Sequence, residues 1–135
     1  MQVTPEKITE LKENEVFVFG SNLAGIHGAG SARFAYDRFG ACLGKGYGWY
    51  YKSFAIPTKD EHIKTLPLEV IQTYVQGFEA FVIANPMLTF YVTKIGCGLA
   101  GYTPKDIAPL FKSCYQLPNV YMPKEFWSVY NGCRT

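Results

Sequence analysis

Apolar positions along the chain fall into two kinds of run. Val16-Phe17-Val18-Phe19 is continuous and rich in β-formers, as expected of a strand covered on both faces, and Gly20 ends it. Ser53-Phe54-Ala55-Ile56 predicts a second strand stopped by Pro57, Thr89 to Thr93 a third, and Asn119 to Met122 a last one before Pro123. Between them the spacing changes to three and four. Ala32, Ala35 and Phe39 mark a short helix closed by Gly40, with Arg33, Asp37 and Arg38 on its other faces. Leu68, Ile71, Val75, Phe78 and Val82 give one apolar stripe and predict a helix from about Pro67 to Ala84, ended by Asn85-Pro86. Thr103-Pro104-Lys105-Asp106 reads as a capping box opening a helix whose buried face is Ile107, Leu110, Phe111 and Cys114. Thr4 to Leu11 predicts one short helical turn, and Gly44 to Gly48 a loop. Alternating strands and helices favour parallel pairing, so the expected fold is α/β: a three-layer α/β/α sandwich with a mainly parallel central sheet, one domain over residues 1–135.

Composition sharpens this picture by exclusion. At 135 residues with 48% hydrophobic and 16% aromatic content, the chain can build a core without metals or disulfides. A formal net charge of +2, with no basic stripe, argues against non-specific nucleic-acid binding. Met1 to Leu11 is polar and unlike a signal peptide, and Phe78 to Met87 is too short and interrupted to span a membrane. Cys42, Cys97, Cys114 and Cys133 form no Cys-x-x-Cys pair, and there are two histidines, so neither zinc nor another cofactor is expected. Free thiols in a reducing compartment point to a cytoplasmic location.

Chemistry concentrates in two loops, each running from a buried strand into a helix. The first is Gly20-Ser21-Asn22-Leu23-Ala24-Gly25-Ile26-His27-Gly28-Ala29-Gly30; the second is Gly96-Cys97-Gly98-Leu99-Ala100-Gly101-Tyr102. Glycine lets backbone N–H groups turn outward and a ligand come close. A helix start adds unpaired N–H donors and partial positive charge, and two such loops at one sheet edge suit a diphosphate. Tight turning is the competing reading of either loop taken singly.

These loops resemble those of the macrodomain superfamily, whose members bind ADP-ribose and related nucleotides. Val16 to Asn22 is similar to the family's strand ending in an Asn-Ala-Ala-Asn type motif, Gly28-Ala29-Gly30 to the glycine loop after it, and Ile95 to Tyr102 to the second, phosphate-binding loop. The order of elements fits from about Ile8 to Met122, and the chain looks most like a group of short phage and bacterial macrodomain-like proteins. The resemblance implies a diphosphate held by backbone N–H groups of Gly20, Ser21, Gly25, Gly28, Ala29, Gly30 and Ser31, and of Ile95, Gly96, Cys97, Gly98, Leu99, Ala100, Gly101 and Tyr102. It also implies that Asn22 bonds the distal ribose. The chain departs from the family's pattern at several places. Lys7 stands near the adenine-binding Asp, Ser31 where many hydrolytic members carry an Asp, and Ala29 where others carry a Lys whose partner Asp is Thr103 here. Ala100 replaces an aromatic near the distal ribose.

Single residues carry paired readings. Asn22 either orients a ribose hydroxyl or caps its own turn. His27 is either a general base or an ordinary loop histidine. Thr58-Lys59-Asp60 follows a strand on the same sheet edge, so Lys59 is a phosphate contact and Asp60 a water-activating carboxylate, or the segment is a solvated turn. Cys97, at a helix start, is either an activated thiol or a small buried side chain, and Tyr102 either flanks the ligand or packs beside the cap. Gly44 to Tyr51, with Trp49, Tyr50 and Tyr51, offers an aromatic cover for a base or ribose, or packs as core or interface. Phe126, Trp127 and Tyr130 are expected against the domain or a partner chain, which leaves a homo-oligomer open.

The functional expectation is binding of ADP-ribose or a related diphosphate nucleotide, free or carried on a macromolecule. Hydrolysis at the anomeric carbon or of a terminal phosphate would involve Asn22, His27 and Asp60. The alternatives are a non-catalytic reader or sequestering module, and an interaction protein that keeps the fold without the ligand.

Overall fold

A computed structural model describes residues 1–132 of the chain, so Cys133 lies outside the described residues. The elements in chain order are β1 (Glu15–Asn22), α1 (Gly30–Arg38), β2 (Gly48–Tyr50), β3 (Ser53–Lys59), α2 (Leu68–Ala84), β4 (Thr89–Val92), α3 (Pro104–Ile107) with a 3₁₀ continuation (Ala108–Cys114), β5 (Val120–Tyr121) and α4 (Lys124–Gly132). The strands form one sheet in the order β2-β3-β1-β4-β5. β1 pairs in parallel with both β3 and β4, and β4 with β5; only β2 runs antiparallel, along β3. The fold is therefore a mixed α/β arrangement with a mostly parallel sheet and helices on both faces.

Alternation along β1 divides the core. Val16 and Val18 point to one face with Phe54, Ile56, Phe90 and Val92, where α2, α3 and α4 add Ile71, Val75, Phe78, Ile107 and Phe126. Phe17 and Phe19 point to the other face and meet Ala35 and Phe39 around α1. A strand buried on both sides has no polar face to show, which is why its sequence is an unbroken apolar run.

That division places the two loops. β1 leads into α1 on one face, while the neighbouring β4 leads into α3 on the other. Connections that leave adjacent parallel strands toward opposite faces open a crevice at the strands' carboxyl ends. Both glycine loops lie at that crevice.

Three local expectations differ from the structure. Thr4-Pro5 does not start a helical turn: the Thr4 N–H donates to the Met122 carbonyl (2.9 Å) and its hydroxyl to the Val92 carbonyl (2.7 Å), with Val3 bridged to Met122. Tertiary hydrogen bonds override the local capping signal. Pro57 does not stop β3, because β2 pairing ends at Gly48 with Ala55 and no β2 partner lies opposite the proline's missing N–H. The helix after Thr103 is α-helical for one turn only. Pro109 has no N–H to continue the ladder, and the chain tightens to 3₁₀ with a kink at Phe111.

Candidate functional site

β1 and β4 bring the loops within contact. A side chain begun at Gly20 would have its Cβ 3.5 Å from Ile95 Cγ2 and 3.6 Å from the Gly96 nitrogen. Gly20, Ser21, Asn22, Gly28, Ala29, Gly30 and Ser31 line one cavity of about 490 Å³ together with Ile95, Gly96, Gly98, Leu99 and Ala100. Lys59 lines it from the end of β3.

The interior of that cavity is rich in donors. α1 begins at Gly30 after Ala29, with no side-chain cap and no acidic residue in its first turn. Among the described residues, the N–H groups of Gly30, Ser31 and Ala32 have no hydrogen-bond partner, and neither do those of Gly98, Leu99 and Ala100. All of these residues line the cavity, Lys59 and Lys94 stand with them, and no carboxylate is among the lining residues. The second loop bonds its other donors internally: Cys97 to Lys94 (3.2 Å), Gly101 to Gly98 (3.0 Å) and Tyr102 to Gly96 (2.9 Å). These closures, with Gly96 and Gly101 at φ +77° and +88°, turn the middle of the loop outward.

The first loop is braced from behind. The Asn22 carboxamide grips one residue: its Nδ2 donates to the Ile26 carbonyl (2.8 Å) and its Oδ1 accepts from the Ile26 N–H (3.0 Å). Gly25, at φ +69°, does not reach the cavity; it packs against Gly44 and Lys45, where any Cβ would overlap backbone. The Ser21 hydroxyl donates to the Gly46 carbonyl. His27 is not on the surface. It is buried edge-on against Phe19, its Nε2–H donates to the Cys42 carbonyl (2.8 Å), and its Nδ1 has no partner. It ties the loop to Cys42 and lines neither cavity.

The remaining candidates separate. Asp60 lies outside the cavity, and its Oδ1 accepts from the N–H groups of His62 (2.8 Å) and Lys64 (2.9 Å). Those donors, Lys64 foremost, hold its carboxyl below the ordinary value of 3.8. Cys97 lines a neighbouring cavity, and burial pushes its thiol up to about 11, away from the thiolate an activated cysteine needs. Tyr102 donates its hydroxyl to the Leu66 carbonyl (2.7 Å) and packs on the core. Trp49 rests on Phe81 at the sheet edge (5.4 Å between ring centres), and Trp49, Tyr50 and Tyr51 line neither this cavity nor its neighbour. Phe126 and Trp127 are buried within the chain's own core.

The neighbouring cavity, about 810 Å³, shares Gly30, Ser31, Thr93, Lys94 and Gly98 with the first. Its walls include Phe17, Phe34, Lys7, Ile8 and the stretch from Pro123 to Glu125. Two cavities in series thus meet at the start of α1. Sequence reasoning missed Ile26, Ala32, Thr58, Ile63, Thr93 and Lys94 as lining residues. Lys94, beside the second loop, was within reach of the argument; Ile63, set by a turn, was not.

No family model matches the chain, and no curated protein or solved structure matches it either. Among the described residues, no helix is long and apolar enough to cross a membrane.

Proposed function

We propose that this chain binds ADP-ribose or a related diphosphate nucleotide, in the manner of the macrodomains its two loops resemble. One observation carries the reading. Unpaired N–H groups at the head of α1 and in the middle of the second loop line the same cavity, with lysines and without a carboxylate. Such N–H groups have no partner among the described residues, stand open to solvent at Gly30, Ser31, Gly98 and Leu99, and are complementary to an anion. The larger cavity, continuous with it and walled by Phe17, Phe34 and Ile8, suits the nucleoside at the other end of the diphosphate.

Binding without turnover is favoured over hydrolysis. His27 and Asp60 line neither cavity, with His27 Nε2 bonded to the Cys42 carbonyl and Asp60 Oδ1 to the His62 and Lys64 N–H groups, and Asn22 is occupied in bracing its own loop. A reader or sequestering module needs none of them as acid or base. Calorimetric titration with ADP-ribose tests the reading: saturable heat below about 1 mM is expected, and none at that concentration removes it. Release of ADP-ribose from a modified protein, or of phosphate from its terminally phosphorylated form, would restore the enzymatic alternative.

A further inference from the structure

Ile63 is held in an unfavourable conformation for no gain in burial. Its φ is +63°, a region that β-branched residues avoid and glycine enters freely, yet its side chain remains 43% exposed. The cause is the turn after β3. The Asp60 carboxylate accepts from the His62 and Lys64 N–H groups, the Asp60 N–H donates to the Lys64 carbonyl (2.7 Å), and the Ile63 N–H donates to the Asp60 carbonyl (3.1 Å). Lys59 bridges Thr65 below. The turn delivers Ile63 to the 490 Å³ cavity, where Ile26 and Leu99 arrive from the two glycine loops, 52% and 80% exposed. Three aliphatic side chains from three separate loops therefore line the cavity that also holds the unpaired N–H groups, Lys59 and Lys94.

We infer that Ile63, with Ile26 and Leu99, closes over the uncharged, sugar-type group that continues the ligand beyond its diphosphate, and that Asp60 is the residue that positions Ile63. The inference rests on the nucleotide reading above. The three aliphatic side chains offer no partner to a charged group and give contact to the C–H face of a furanose, while Lys59 and Lys94 in the same lining suit the phosphates. Covering that group also excludes water from the neighbouring phosphates, which strengthens their bonds to the N–H groups.

The test compares ADP-ribose with ADP, which reaches the glycine loops but lacks the continuing sugar. Ile63→Gly accepts the positive φ without strain, so its melting temperature is expected to hold or rise. Its affinity for ADP-ribose is expected to fall about tenfold, and that for ADP to stay within roughly twofold. Leu99→Ala, at a side chain the fold does not bury, moves affinity in the same sense. Asp60→Ala also weakens ADP-ribose, and combining it with Ile63→Gly adds nothing further, because the second change removes what the first one positions. If Ile63→Gly and Leu99→Ala bind ADP-ribose as the unaltered chain does, or lose both ligands equally, the inference is overturned while the nucleotide reading stands. Fully additive losses overturn the role of Asp60. An unaltered chain that binds neither ligand removes the nucleotide reading, and this inference with it.

Discussion

Asn22 and Gly98 act on the site by different means. Asn22 joins its carboxamide to both backbone groups of Ile26, so Asn22→Ala removes two hydrogen bonds and leaves the loop to water. A loss of about 1–2 kcal/mol in urea unfolding is expected, with weaker ADP-ribose binding from a looser loop. Gly98 has an ordinary φ, and a Cβ there meets nothing within 4 Å. Gly98→Ala should therefore keep stability within about 0.5 kcal/mol while its methyl occupies the cavity and lowers affinity. Gly25→Ala is the opposite case. Its positive φ and the overlap with Gly44 predict a destabilisation of about 3 kcal/mol or more, read as a lowered melting temperature.

The turn after β3 and the cap of α3 show how elements set the loops. The donors around Asp60 depress its pKa, so the ionised form supports the turn. A depressed carboxyl contributes stability above its ordinary value of 3.8 and loses it as pH falls through the lower folded value. The melting-temperature difference between the unaltered chain and Asp60→Asn should accordingly shrink as pH drops from about 5 to about 2. At α3, the Asp106 carboxylate accepts from the Thr103 N–H and hydroxyl, both at 3.0 Å. This cap fixes where the second loop ends.

Elements were legible from sequence where one local signal dominated. β1 reads as a two-sided strand because every residue from Val16 to Phe19 is apolar and buried, and α2 because its buried stripe recurs at helical spacing. The capping box at Thr103 and the glycine-rich character of both loops were equally local. Other features were set by distant partners. Thr4 looks like a helix cap but bonds β4 and the chain just past β5, and His27 looks like a surface loop residue but is buried against Phe19 and bonded to the Cys42 carbonyl. Ile63 at the cavity rim depends on the hydrogen bonds of Asp60, for which an isoleucine in sequence gives no sign.

For the whole molecule, the order of strands matters more than any single side chain. Because β1 and β4 are neighbours whose following helices take opposite faces, two loops far apart in sequence place their unpaired N–H groups around one space. The central claim is that this space receives a diphosphate. An amide proton–nitrogen correlation spectrum recorded during titration with ADP-ribose tests it most directly. The account predicts that the largest shifts fall on Gly30, Ser31 and Ala32 and on Gly98, Leu99 and Ala100, saturating together. Saturable shifts confined to other parts of the chain, or a spectrum unchanged at about 1 mM ligand, would contradict it.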